Sequence, residues 1–403
     1  MLYLWSGCKK QIEILTSRCY LDEQVMSMTI PQQQFLELLR AGLWGRPADA
    51  ELFNGTVDWK TIIRIAIAQA VPVLVADGVE SLPKELWPPK EAMLKLMMMR
   101  VKIGQMHKLL DATLNRIVTA LEAEGLSSVL LKGQGVAQNY VNPASRSCGD
   151  IDLYVGLEGY ERACEIIAGL GSGHEEGEEC DHHMHLQVDG VEVEVHRRAH
   201  VLRNKRQDRF FQKWTSDSVD ARFGTQSLRA WDNAGTVVNL APATFDAFFI
   251  LHHAVRHMTT EGVGFRQICD WTMYLHKHHD EIDVDELRTA LKALDMETIW
   301  MEFGRMAISI LGLPPAELPL CPAVHASRKT GELARHIFIS GNFGRYDENG
   351  RDHSQTTYMK RKWRSFKFQS LRLCKLFSLF PSYTLAYGWG WLTSGIRIVL
   401  SGK

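Results

Sequence analysis

Four features are missing from this 403-residue sequence, and each excludes a class of protein. Its eight cysteines (8, 19, 148, 164, 180, 269, 321 and 374) contain no C-x-x-C pair, which argues against a disulfide framework and a zinc ribbon and suits a reducing compartment. No apolar run approaches the roughly 20 residues that a membrane-spanning helix needs. Lys9, Lys10 and Arg18 interrupt the apolar residues at the N-terminus, so no signal peptide is expected and the expected location is the cytoplasm. A net charge of −1 excludes a general nucleic-acid binder held by bulk positive charge. Internal repeats and low-complexity tracts are also lacking. One stretch is short of a single kind of residue: 353–403 carries nine Lys or Arg and no Asp or Glu, which leaves −10 on residues 1–352.

What is present divides by pattern. Residues 1–27 mix apolar and basic residues without period, so a loosely attached segment is expected there, with Met26 or Met28 as the true start. Residues 28–126 read as helices around Phe35–Leu39, Trp59–Ala70 and Glu91–Glu124, the last with Leu110, Leu114, Val118 and Leu121 at helical spacing. Residues 127–241 read as a core of alternating strands and helices. It has short strands over Ser128–Leu131 and Asp150–Val155, a helix over Glu158–Leu170 with Gly171 as its C-cap, and a hairpin of His183–Val188 and Val191–His196 about Asp189-Gly190. Helices return over 242–352, and 353–403 forms a basic amphipathic segment. The predicted fold class is α/β in a mixed, α+β-like form, with a small mixed sheet flanked by helical N- and C-terminal regions.

The acidic residues carry the chemistry. Asp150 and Asp152 stand two apart on a predicted strand, so both side chains leave one face while Ile151 and Leu153 leave the other. In Val191–His196 the valines face one side and Glu192, Glu194 and His196 the other. If the two strands adjoin, Asp150, Asp152 and Glu194 converge on one solvent-open patch. Three clustered carboxylates repel without a cation, which predicts raised proton affinity for at least one of them. All-oxygen donors suit Mg²⁺ or Mn²⁺, and such a set can hold two ions for in-line phosphoryl chemistry. Upstream, Lys132-Gly133-Gln134-Gly135 follows a strand and precedes a helix-like stretch, Val136–Tyr140. Its backbone N–H groups and Lys132 can meet phosphate oxygens, although it is no Walker A loop.

Leu130-Leu131-Lys132-Gly133, Tyr140, Arg146, Gly149-Asp150-Ile151-Asp152-Leu153 and Glu194-Val195-His196, in that order, resemble the uncharacterised nucleotidyltransferase family of the polymerase-β-like superfamily. The likeness extends to His253, His257 and Phe265–Asp270. It implies transfer of a nucleoside monophosphate from an NTP to a hydroxyl acceptor (sugar, protein or RNA) with pyrophosphate release, assisted by Mg²⁺ or Mn²⁺. It further implies Asp150 and Asp152 as metal ligands and Glu194 as the third carboxylate. Gly133 becomes the phosphate-turn glycine, with Lys132, Gln134 and Arg146 as nucleotide contacts. Gln134 departs from the usual serine. A catalytically silent binding module and a toxin-like tRNA-modifying enzyme are the rival readings.

The remaining constellations have plainer readings. Cys180, His182, His183, His185 and His196 match no zinc spacing and read as hydrogen-bonding residues. His253 and His257 share a helix face and, with His196 and Asp270, are candidate pocket residues. In the basic segment Met359, Trp363, Phe366, Ser370, Leu373, Phe377 and Phe380 form a helical stripe. The stripe is expected to be buried against the protein's own helices, with peripheral contact to an anionic membrane surface as the alternative.

Overall fold

The computed structural model describes residues 28–171, 183–225, 227–321, 327–342 and 358–401. The expectations for residues 1–27, and for Cys180 and His182, lie outside the described residues. The chain divides into two compact units made of non-contiguous segments. One comprises Val101–His252, Glu281–Met296 and Ser382–Lys403, and the other Met1–Arg100, His253–Asp280 and Glu297–Pro381.

The first unit is built on a six-stranded mixed sheet of order β3-β4-β2-β1-β6-β5. Its strands are β1 (Val129–Leu130), β2 (Asp150–Tyr154), β3 (His183–Val188), β4 (Val191–His196), β5 (Arg229–Asn233) and β6 (Thr236–Leu240). β2 runs parallel to β4, β1 runs parallel to β6, and the remaining neighbours are antiparallel. Ile151, Leu153, Val191, Val193, Val195, Leu186 and Val188 bury one face against Leu110, Leu114, Ile117, Val118 and Leu121 of helix α4 (Lys90–Ala123). Tyr160, Ala163 and Ile167 of α6 (Gly156–Leu170) complete that core. Each buried Val, Leu or Ile is worth about 1.5–3 kcal/mol. A slip of β4 by one residue would turn three valines out and Glu192 and Glu194 in, so burial alone pins the register.

The hairpin turns where the sequence indicates, with positive φ at Asp189 (54°) and Gly190 (77°). A second hairpin, β5–β6, was not anticipated. It turns through Ala234-Gly235, again at positive φ, and Asn233 ties it to α4 by donating to the Asp111 carbonyl and to Asn115 Oδ1. Gly171 does end α6, but at φ −75° and so not as a left-handed cap. Its reason is proximity: a Cβ there would lie 2.6 Å from the Gln187 carbonyl oxygen.

The second unit is helical. It contains α1 (Ile30–Trp44), α2 (Trp59–Ala68), α3 (Pro72–Glu80), α9 (Phe265–His278), α11 (Glu297–Met306) and α12 (Arg328–Ser340). Buried Gln69 accepts from the Phe265 N–H and donates to the Ile337 carbonyl, fastening the start of α9 to α12. The basic segment forms α13 (Tyr358–Leu379), followed by α14 (Pro381–Ser401). Its buried face matches the anticipated stripe only at Phe380, and the side chains of Met359 and Trp363 lie outside the described ones. Arg372, Leu376 and Leu379 are buried together with Phe380, whereas Phe366 and Phe377 are 44% and 46% exposed. Apolar residues occur on several sides of α13, and its neighbours, among them Phe303 against Phe380, decide which side is covered. Among the described residues no helix is long and apolar enough to cross a membrane.

Gly169, near the end of α6, and Gly171, just after it, should respond in opposite ways to the same substitution. Gly169→Ala, where a Cβ meets nothing within 4 Å, should raise stability by up to about 1 kcal/mol through helix propensity. Gly171→Ala should lower it, because the Gln187 backbone must move. Chemical denaturation of both variants checks the contrast.

Candidate active site

The functional cluster arises from strand pairing alone. Parallel β2 and β4 set Asp150 beside Glu192, Asp152 beside Glu194 and Tyr154 beside His196. Antiparallel β3 adds His185 opposite Glu194 and His183 opposite His196. All of these share the sheet face away from the valine core. One donor atom from each of Asp152, Glu194 and His196 lies within 4.8 Å of the others.

Two cationic side chains sit among the acids. The Leu131 N–H donates to the Asp152 carbonyl, which carries the next residue, Lys132, over the Asp152 side chain. Lys132 Nζ is 2.7 Å from Asp152 Oδ1, with the aspartate 1% exposed. His196 Nε2 lies 3.2 Å from the same oxygen and 3.3 Å from Glu194 Oε2. Asp152 Oδ2 is buried and has no hydrogen-bond partner among the described residues, so one strong acceptor is held ready for a cation. Glu194 sets a second carboxylate beside it.

The electrostatics follow from this arrangement. Burial works to raise the Glu194 carboxyl, but the hydrogen bond from His196 and the charge of Lys132 outweigh it and hold Glu194 well below the ordinary carboxylate range. Burial likewise opposes the charge of His196 and Lys132, yet their acidic neighbours raise both above their usual values. The expectation of raised proton affinity is therefore reversed at Glu194, because the protein supplies its own cations.

The turn after β1 takes its glycine from geometry. Gly133 has φ 62°, and a Cβ there would stand 3.2 Å from the Asp150 carbonyl. It caps a one-turn helix, α5 (Gln134–Ala137), shorter than and offset from the predicted Val136–Tyr140 stretch. The Gln134 side chain is buried and donates to Asp111 of α4, with His107 Nδ1 3.2 Å away. It is thus turned away from solvent. His107 Nε2 also donates to the Arg146 carbonyl at 2.7 Å, so α4 holds both the Gly133 turn and the segment leading into β2. Arg146 itself is buried.

The predicted site residues are thus partly brought together. Asp152, Glu194, His196 and Lys132 meet. Asp150 lies one same-face position along β2 and is absent from the close donor group, where His196 stands instead. Its charge nevertheless acts on Lys132. The patch is also less open than expected, since Asp152 is almost fully covered. His253, His257 and Asp270 are residues of the helical unit. There His253 and His257 face each other at 3.1 Å, His257 lies 3.4 Å from Glu261, and Asp270 is buried on α9. Sequence reading missed His107 and Asp111. Their i, i+4 spacing on one helix face was the available signal, but nothing local ties them to residues 134 and 146.

These shifts give a signed pH dependence for the metal-free protein. His196, raised above 6.5, contributes stability that is fully present below that pH and fades as pH climbs through its folded value. Glu194, lowered from 4.5, contributes above that pH and loses its share as acid titrates it. Thermal melts in chelator should show this contribution largest between these two values, and Glu194→Gln should flatten the maximum.

A family model described as uncharacterised nucleotidyltransferase matches residues 55–312. No curated protein and no solved structure matches the chain. With the carboxylate pairs of β2 and β4 inside the matched residues, and more than half of the chain covered, the chain belongs to this nucleotidyltransferase family.

Proposed function

We propose that the chain is a metal-dependent enzyme that moves a nucleoside monophosphate from an NTP to a hydroxyl acceptor, releasing pyrophosphate. The observation that carries this reading is the side-by-side pairing of Asp152 and Glu194 beneath Lys132, with a buried carboxylate oxygen left over. Asp150, Asp152 and Glu194 would hold a divalent ion, Mg²⁺ or Mn²⁺, which supplies charge neutralisation at the phosphates and at the attacking oxygen. Lys132, once released from Asp152, is placed to meet phosphate oxygens, and the backbone N–H groups after Gly133 add further donors. Glu194, held ionised, orients the acceptor hydroxyl and can take its proton. Arg146 is a nucleotide contact in this reading only if its buried guanidinium becomes accessible. The acceptor is a sugar, a protein hydroxyl or RNA.

A silent nucleotide-binding module is favoured by one feature: Gln134 spends its side chain on α4. A screen with α-labelled NTPs, with and without Mg²⁺, decides between the two. Labelled product that needs the metal, and falls about a hundredfold or more in Asp152→Asn, supports transfer. Tight NTP binding without turnover in the folded protein would sink it. Asp152→Asn should also lower stability by about 1–3 kcal/mol, because Lys132 loses a buried charged partner at 2.7 Å. A melting curve separates that loss from catalysis.

A cytoplasmic enzyme touching a membrane surface is the second part of the proposal. Phe366 and Phe377 are exposed on α13, and so are Lys367 and Lys375. Apolar and cationic groups on one helix suit the interface of an anionic bilayer. Co-sedimentation should occur with phosphatidylglycerol vesicles, weaken with salt and be absent with phosphatidylcholine alone. Equal behaviour with both vesicle types removes this contact from the proposal.

A further inference from the structure

We propose that His183, His185 and Glu194 form a second metal site, distinct in donor chemistry from the carboxylate set and selective for a borderline ion such as Zn²⁺. A nitrogen from each imidazole and an oxygen of Glu194 lie within 4.8 Å of one another. This site is read from its donor set and does not depend on the chain being a transferase.

The strand period builds it. His183 and His185 are two apart on β3 and share a face, and the antiparallel register sets His185 across from Glu194. Their Nε2 atoms face each other at 2.8 Å. The other nitrogen of His185, Nδ1, is 2.9 Å from Glu192 Oε1. A carboxylate on Nδ1 fixes the tautomer with its proton there, so the lone pair of His185 Nε2 points toward His183. The same carboxylate–imidazole relay orients histidine ligands at metal centres and raises their basicity. Glu192, which has no place in the catalytic set, acquires a role as the positioning residue.

Glu194 is shared. Its Oε1 lies 3.8 Å from His185 Nδ1 and its Oε2 3.3 Å from His196 Nε2, so its two oxygens are divided between the histidine cluster and the Asp152 cluster. Two imidazoles and one carboxylate match the donor set of a Zn²⁺ site with an open position, whereas Mg²⁺ prefers oxygen donors alone. Binding through both Nε2 atoms requires His183 to carry its single proton on Nδ1 instead, a change of tautomer that keeps the imidazole neutral. An ion held there competes for Glu194. The site offers a route by which zinc regulates whatever Asp152 and Glu194 do together.

The test uses the full chain and Zn²⁺ alone, with stoichiometry read by equilibrium dialysis and elemental analysis. His185→Ala, whose side chain is 30% exposed, should lose one equivalent of zinc while keeping the wild-type melting temperature in chelator. Glu192→Gln should retain the site with affinity weakened about 10- to 100-fold. Asp152→Asn should leave the equivalent in place. Unchanged stoichiometry in His185→Ala overturns the proposal, as does loss of the same equivalent in Asp152→Asn with retention in His185→Ala. No activity measurement enters, so the outcome is independent of the transfer assay.

Discussion

The parallel pairing of β2 with β4 is the constraint on which the rest of this unit depends. It sets Asp152 against Glu194 at neighbouring Cα positions, with both carboxylates on the face opposite a valine core. Two acids so placed repel, and at low effective dielectric the cost is several kcal/mol. Backing away is not open to them, because one-sided burial of Val191, Val193 and Val195 fixes the register. The protein must instead bring positive charge to the acids. Lys132 arrives because Leu131 extends the β1 ladder onto Asp152, and His196 arrives from the same strand as Glu194.

This arrangement explains why the site is both stable and poised. Lys132 and His196 satisfy Asp152 on one oxygen and leave the other without a partner, so neutralisation is incomplete by one acceptor. A metal ion bound there would gain that oxygen, but would also have to loosen the internal cations from the shared carboxylates. Any metal affinity here would therefore be a difference between two neutralising arrangements, with the charge of His196 belonging to one of them. Helix α4 supports this from behind. Its Leu110–Leu121 face forms the core, while His107 and Asp111 hold the Gly133 turn and the Arg146 segment in position.

The legible part of this in the sequence is the part governed by short periods. Asp150-Ile151-Asp152 and Val191–His196 alternate every two residues, so their faces could be read without knowing their partners. Asp189-Gly190 located the hairpin for the same reason. Which strands adjoin is a non-local fact, and it replaced Asp150 by His196 in the close group. Charge repulsion among the acids was argued correctly, but at Glu194 the conclusion about proton affinity is reversed because His196 of its own strand and Lys132 from beyond β1 supply positive charge. The β5–β6 hairpin was obscured by a turn that begins with Ala234, an unusual residue at positive φ. On α13 the spacing of four and three suggested one stripe, yet a helix with apolar residues on several sides does not declare which side its unit will cover.

The same geometry bears on why the histidines of β3 are where they are. A strand at the sheet's edge usually carries polar side chains that water can solvate, and Gln187 opposite Glu192 fits that pattern. His183 does not, since it is buried, with its ring 4.9 Å from that of His196. Burying an imidazole costs solvation that a hydrogen bond to a second imidazole recovers only in part. A phenylalanine or leucine would cover the same surface without that cost. His183 Nε2 instead faces an imidazole that Glu192 orients. The two histidines of the edge strand are thus joined through their Nε2 atoms, and Glu194 is where that pair meets the carboxylate pair.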